Sequence, residues 1–334
     1  MQAMLWEPLP GGQTVCRLCA HACRLKKGQK GQCGVRVNRN GDLTTLTGDI
    51  VTSVQLDPVE KKPLYHYLPG SMTFSVGSAG CNFHCRFCQN SQISQLVDDG
   101  IFPGRRLKAA NLWQMAVRYG ARSVAFTYNE PTVFFEQLFE AAGQAREHDL
   151  GVILVSNGFM SADCLQALQR RVTAANIDLK SFNDYFYREY CGGRLQPVLD
   201  NLKTIRAMGW WLEVTTLIIP GCNDSPAELQ EIATFIYDEL GPDTPWHVSA
   251  FHGAWRMADH PSTSLDKLEE AWKIGRNSGL RYVYMGNLPS LLGGTTFCPS
   301  CEAVVIARKG WQTQCRIRAG NCPSCGTRLA GIWK

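Results

Sequence analysis

The chain has 334 residues, 45% of them hydrophobic, and a formal net charge of +5. This is enough apolar material for a full core, as one large α/β domain or a main domain with small appendages. A charge this small, with no basic run behind it, argues against nucleic acid as a partner. The first fifteen residues lack a basic segment followed by an apolar run, and no stretch of about 18 uninterrupted apolar residues occurs. The expectation is a cytoplasmic protein without a membrane partner. Fifteen cysteines are the anomaly, because a reducing compartment disfavours structural disulfides and leaves metal binding or redox chemistry as the reason for so many thiols.

In chain order, residues 1–69 read as a small Cys-rich, turn-rich module. Cys16, Cys19, Cys23 and Cys33 stand among Gly28, Gly31 and Gly34. Four thiolates close a site, which suits either a structural Zn²⁺ or an auxiliary iron-sulfur cluster, since both accept four cysteines. The run from Asp57 to His66 reads as a charged linker pinned across the edge of the next unit. From residue 73 onward, β-branched or aromatic runs alternate with amphipathic stretches. Strands are expected at 73–77, 123–127, 152–155, 174–179, 212–219, 247–250 and 282–285, and helices at 107–118, 131–148, 161–170, 196–208, 225–240 and 264–278. Repeated β/α units on a parallel sheet predict an α/β fold, a partial (β/α)6 barrel over 70–291. A tail over 292–334 carries Cys298, Cys301, Cys322 and Cys325 as two Cys-x2-Cys knuckles, the zinc-ribbon pattern, with a rubredoxin-like iron site as the chemical alternative.

The barrel's own cysteines follow its first strand, as Gly80-Cys81-Asn82-Phe83-His84-Cys85-Arg86-Phe87-Cys88. Loops after the C-terminal ends of barrel strands converge on one mouth. Three thiolates there leave one iron of a [4Fe-4S] cluster without a protein ligand, an open coordination site. The spacing Cys-x3-Cys-x2-Cys with an aromatic before the last cysteine resembles the signature of the radical S-adenosylmethionine (SAM) superfamily. The resemblance implies that Cys81, Cys85 and Cys88 hold the cluster and that its open iron binds SAM. An electron from a reducing donor then cleaves SAM to a 5′-deoxyadenosyl radical, with Phe87 against the adenine.

Other polar residues belong to the same mouth. Thr127-Tyr128-Asn129-Glu130-Pro131 and Ser156-Asn157-Gly158 resemble strand ends that contact SAM in pyruvate formate-lyase activating enzyme, which implies cofactor binding by Asn129, Glu130, Ser156 and Asn157; turn and helix-cap roles are the alternative. Asp178-Leu179-Lys180 matches the same enzymes, implying that Asp178 belongs to a cation site beside the SAM carboxylate and that Lys180 lines the mouth. Val155 departs from their pattern, where an acidic residue is found, which speaks against a monovalent-cation site here. His247, His252 and Trp255 follow or lie in the sixth strand and are candidates to face substrate; a histidine in an apolar strand is more often a satisfied core residue. Cys222 lies on a mouth-side loop.

From Cys16 to Trp333 the chain resembles the radical SAM component of the AmmeMemoRadiSam system, through Gly34-Val35-Arg36, the segment from Asp57 to Tyr65, the central cysteine motif, Tyr284-Met285-Gly286-Asn287 and Gly331-Ile332-Trp333. This implies partners among the other proteins of that system. Three functions follow as expectations: a radical SAM enzyme acting on a protein, peptide or small molecule, an activator of a glycyl-radical lyase, and a non-catalytic iron-sulfur electron-transfer or scaffold protein.

Overall fold

The computed structural model describes residues 1–95, 104–288 and 293–334. The chain begins with a three-stranded antiparallel sheet, β1 (Trp6–Leu9), β2 (Gln13–Cys16) and β3 (Arg24–Leu25), followed by a hairpin of β4 (Arg36–Arg39) and β5 (Asp42–Thr45). Asn40 and Gly41 turn that hairpin with positive φ at both positions, 58° and 101°, the arrangement whose twist matches paired strands and that Asn-Gly adopts readily. The short β6 (Ile50–Val51) pairs with β9 (Arg105–Arg106).

The main sheet starts with β7 (Ser53–Pro58), which runs antiparallel to β8 (Met72–Gly77). Parallel strands then follow: β10 (Ser123–Phe126), β11 (Gly151–Ser156), β12 (Ala174–Asp178), β13 (Trp211–Ile218), β14 (Trp246–Ala250) and β15 (Val283–Gly286). The eight strands are ordered β15-β14-β13-β12-β11-β10-β8-β7, with β7 and β15 at the two edges, so the sheet is an open, partial (β/α) barrel with one antiparallel edge strand. All seven expected strands fall within a residue of those observed. Strands such as Gly151–Ser156 are buried along almost their whole length, as parallel strands covered on both faces must be. Helices between them bury one stripe each, and three begin on serine caps: Ser161, Ser225 and Ser264 each accept a backbone N–H of the first turn. The tail forms an antiparallel sheet of β16 (Thr296–Phe297), β17 (Val304–Lys309) and β18 (Gln312–Cys315). The boundary expected at 291/292 lies outside the described residues.

The segment after β7 departs from the expected linker. Residues 59–68 enter the barrel from the N-terminal ends of its strands and fill it. Val59, Leu64, Tyr67 and Leu68 form a buried cluster with Ala125, Ile153 and Ala174 from three barrel strands, a burial worth about 1.5–3 kcal/mol for each large side chain. Asn176 donates to the Pro63 carbonyl (2.8 Å), and the Tyr67 hydroxyl meets that of Thr173 (2.7 Å). Glu213, fully buried on β13, accepts from the backbone N–H groups of Tyr65 and His66, from Trp211 Nε1 and from His247 Nε2, at 2.6–3.0 Å. The charges that suggested a linker are internally paired: Lys62 donates to Asp57 (2.7 Å) and its ammonium lies 4.5 Å from the centre of the Tyr128 ring.

The tail closes this foot. His66 Nδ1 donates to the Ala330 carbonyl (2.7 Å), so its Nε2 accepts from the Tyr284 hydroxyl (2.6 Å). Arg308 of β17 donates to the Tyr65 carbonyl (2.6 Å) and lies 4.1 Å over the Tyr65 ring.

Candidate functional site

The loop after β8 turns at Gly80 (φ 83°), where a Cβ atom would lie 2.6 Å from both the Cys33 carbonyl oxygen and a Val35 methyl. Only glycine lets the loop press against the N-terminal module there. The following cysteines are held by hydrogen bonds from three directions. From β10, Asn129 receives the Ser78 N–H (2.9 Å) and donates to the Gly80 carbonyl (2.8 Å). From β11, Asn157 donates to Asn82 Oδ1 (2.8 Å) and approaches Cys81 Sγ (3.8 Å). From the segment after β12, the Cys191 and Tyr190 carbonyls accept the His84 and Arg86 N–H groups (2.7 and 2.8 Å).

Glu130 connects the two strand ends. Its carboxylate accepts from the Thr132 N–H and hydroxyl, the Ser156 hydroxyl and the Asn157 N–H, and burial raises its pKa against those donors. Asn129, Glu130, Ser156 and Asn157 therefore come together as one web that fixes the cysteine loop. All four are buried.

Cys81, Cys85 and Cys88 lie close enough to interact electrostatically, yet among the described residues they are not part of any set of three ligand atoms within 4.8 Å of one another. Burial, with the Glu130 carboxylate adding to it, pushes the Cys81 thiol well up, so a bound cation is what would let it ionise. Cys191, a single cysteine in the sequence, lies within hydrogen-bond reach of Cys85 and lowers its pKa. Nothing in local spacing points to Cys191; only the fold brings it here.

Lys180 and Asp178 pair at 2.8 Å, with Asp178 the more exposed of the two. Burial opposes the charge of Lys180, but Asp178 and the nearby thiols outweigh it and hold the ammonium charged. Phe87 packs on Phe186 (5.8 Å between ring centres) with Lys180 Nζ 5.8 Å from its own ring centre. His247 lies buried against Glu213 at the foot, His252 is exposed, Trp255 is half-buried, and Cys222 is within 3.9 Å of His260.

The two four-cysteine sets differ in spacing. In the tail, Cys298 and Cys325 are 3.6 Å apart and Cys301 and Cys322 are 3.7 Å apart, with all four sulfurs within 4.8 Å of one another. Cys16, Cys19, Cys23 and Cys33 line one cavity with Arg36 and Val133 but do not reach that closeness.

The model of the Radical SAM superfamily matches residues 75–236. Uncharacterized protein MJ0808 of Methanocaldococcus jannaschii is 38% identical over 331 residues, covering 98% of this chain and 98% of that protein. Among solved structures, Streptococcus suis SuiB bound to precursor peptide SuiA is similar with 13% identity and a TM-score of 0.52, over 69% of this chain and 51% of SuiB; the likeness is one of fold, and this chain spans about half of SuiB. A domain of pyruvate-formate lyase-activating enzyme from Bacteroides vulgatus aligns over 49% of this chain and 99% of its own, with 16% identity and a TM-score of 0.44. Among the described residues no helix is long and apolar enough to cross a membrane.

Proposed function

Because the chain belongs to the radical SAM superfamily, we propose that it binds a [4Fe-4S] cluster through Cys81, Cys85 and Cys88 and uses it, with an external low-potential electron donor, to cleave SAM reductively. When bound, the reduced cluster and SAM supply one-electron cleavage to methionine and a 5′-deoxyadenosyl radical that takes a hydrogen atom from substrate. The observation that carries the reading is the cysteine loop itself: three thiols at the barrel mouth, on a loop held by Asn129 and Asn157.

The chain's own residues divide the work. Asn129, Glu130, Ser156 and Asn157 position the loop and keep its thiols out of water. Lys180 and Asp178 offer a cation and an anion at the mouth, suited to the carboxylate and amino groups of SAM. Phe87 presents an apolar ring to the adenine side. The tail holds Zn²⁺: a Zn–S bond of about 2.3 Å in a tetrahedron requires sulfurs about 3.8 Å apart, close to the spacings of 3.6 and 3.7 Å between Cys298 and Cys325 and between Cys301 and Cys322. For substrate we propose a protein or peptide, with partners in the AmmeMemoRadiSam system; the fold shared with SuiB, a protein that binds a precursor peptide, is in keeping with it.

The test is anaerobic reconstitution with iron and sulfide, reduction by dithionite in the presence of SAM, and quantification of 5′-deoxyadenosine. Product is expected from the wild type and only background from C81A/C85A/C88A. A wild type with a reducible cluster that yields no product with or without candidate substrates overturns the reading.

A further inference from the structure

Inside the cysteine loop one donor has no acceptor, and its direction is fixed by the rest of the chain. Asn82 is fully buried between Cys81 and Phe83, and its Nδ2 has no partner among the described residues. The oxygen and nitrogen of a carboxamide are told apart by what surrounds them, and here the surroundings decide. The Phe159 N–H donates to Asn157 Oδ1 (3.0 Å), so the other arm of the Asn157 amide is its Nδ2. That Nδ2 donates to the Asn82 amide at 2.8 Å, so the atom it meets is Oδ1 and the remaining arm of Asn82 is the donor. The Asn82 backbone is held as well, because its carbonyl accepts from His21 Nε2 (2.7 Å).

A buried N–H without an acceptor costs free energy, and folded proteins keep few of them. What lies beside this one is sulfur. Asn82 Oδ1 is 3.9 Å from Cys81 Sγ, which sets the planar amide against that thiol. The same sulfur is approached by the Phe83 N–H (3.4 Å) and by Asn157 Nδ2 (3.8 Å). A neutral thiol is a weak acceptor and gains little from such company. An anionic sulfur gains much more, because hydrogen bonds to a charged acceptor are the strong ones.

We propose that Asn82 Nδ2 donates to an anionic sulfur of the cluster held by Cys81, Cys85 and Cys88, either the Cys81 thiolate or a sulfide beside it, and so raises the potential at which that cluster is reduced. The proposal rests on the assignment of the loop as a [4Fe-4S] site. An added electron makes the sulfurs more negative, so a donor to them stabilises the reduced form more than the oxidised one. Asn82 neither ligates iron nor moves a proton. Asn157 is the positioning residue: by holding Asn82 Oδ1 it aims Nδ2.

The experiment is a redox titration of the reconstituted full-length protein, followed by the electron paramagnetic resonance signal of the reduced cluster that C81A/C85A/C88A lacks. Asn82→Leu keeps the branched shape of the side chain and has neither donor nor charge. At the same potential its ratio of reduced to oxidised cluster is expected to be lower than in the wild type by about threefold or more. Asn82→Asp keeps an oxygen for Asn157 and adds a negative charge, so it should move further in the same direction. Equal midpoints in the wild type and Asn82→Leu overturn the proposal and leave Nδ2 to a water molecule. A wild type with no signal dependent on the three cysteines overturns the cluster assignment itself, a result distinct from a shift that fails to appear. Should Asn82→Leu lose its iron, the wild type decides. With the asparagine side-chain nitrogens isotopically labelled, pulsed electron paramagnetic resonance of the reduced cluster should show two coupled side-chain nitrogens, those of Asn82 and Asn157; one or none overturns the proposal.

Discussion

The barrel's two ends treat buried polar groups in opposite ways. At the foot, the Glu213 carboxylate is saturated by four donors and sits beneath His66, Tyr284 and the tail. At the mouth, Asn129, Glu130 and Asn157 are equally buried, but their bonds hold a loop whose Asn82 Nδ2 has no partner at all. A saturated network stabilises a fold and does little else. An unsaturated one held rigidly from outside is prepared for a ligand. Damage at the mouth should therefore abolish chemistry and spare stability, and damage at the foot should do the reverse.

The largest effect is expected at the mouth. Cys81→Ala should reduce 5′-deoxyadenosine formation to background, while urea unfolding of the cluster-free protein changes by about 1 kcal/mol at most; a large stability loss would erase the contrast. Next comes Glu213→Ala, which leaves His247, Trp211 and two backbone N–H groups unpaired in the barrel. A cost of about 3–5 kcal/mol is expected, with iron bound per folded molecule unchanged. If the iron is lost from protein that remains folded, foot and mouth are not separate.

A pH series sharpens the same comparison. Burial lowers the pKa of His66 to about 4, below about 6.5 for an unfolded histidine. As pH falls, the unfolded chain takes up the proton first, so this stabilisation is complete above about pH 6.5 and is lost progressively toward about pH 4, amounting to about 3 kcal/mol. Chemical denaturation of the wild type and His66→Gln, which donates and accepts without titrating, should differ in slope across that window; parallel curves would remove His66 from the account. The smallest effect is expected of Tyr67→Phe, about 1 kcal/mol for the lost bond to Thr173, with SAM cleavage unaltered.

Much of this architecture is legible in the sequence, and what is hidden has physical reasons. The barrel strands announce themselves because each is a short apolar run between helices of the right period, and the cysteine groups because thiol spacing is read directly. The Asn40-Gly41 hairpin carries its signal openly, flanked by alternating Val37 and Leu43, yet is easily lost in a turn-rich region. The filling of the barrel by residues 59–68 is different in kind. Glu60 and Lys62 look solvated in one dimension, and their burial depends on partners far along the chain, Thr313 and Arg308 for Glu60 and the Tyr128 ring for Lys62. The spacing of the cysteines likewise gives their number but not the distances between sulfurs, which is where the two four-cysteine sites part company.

The barrel filling also dictates how the molecule comes into being. Residues 59–68 leave the ribosome before any of the parallel strands that will enclose them, and His66 must wait 264 residues for its bond to Ala330. Contacts of such separation make folding slow, and the apolar face of Val59, Leu64 and Leu68 stays uncovered until β10, β11 and β12 have been made. Nascent chains should therefore expose an apolar patch until residues 174–178 have emerged, and loss of a handful of C-terminal residues should leave the His66 ring and the Leu68 N–H without their partners.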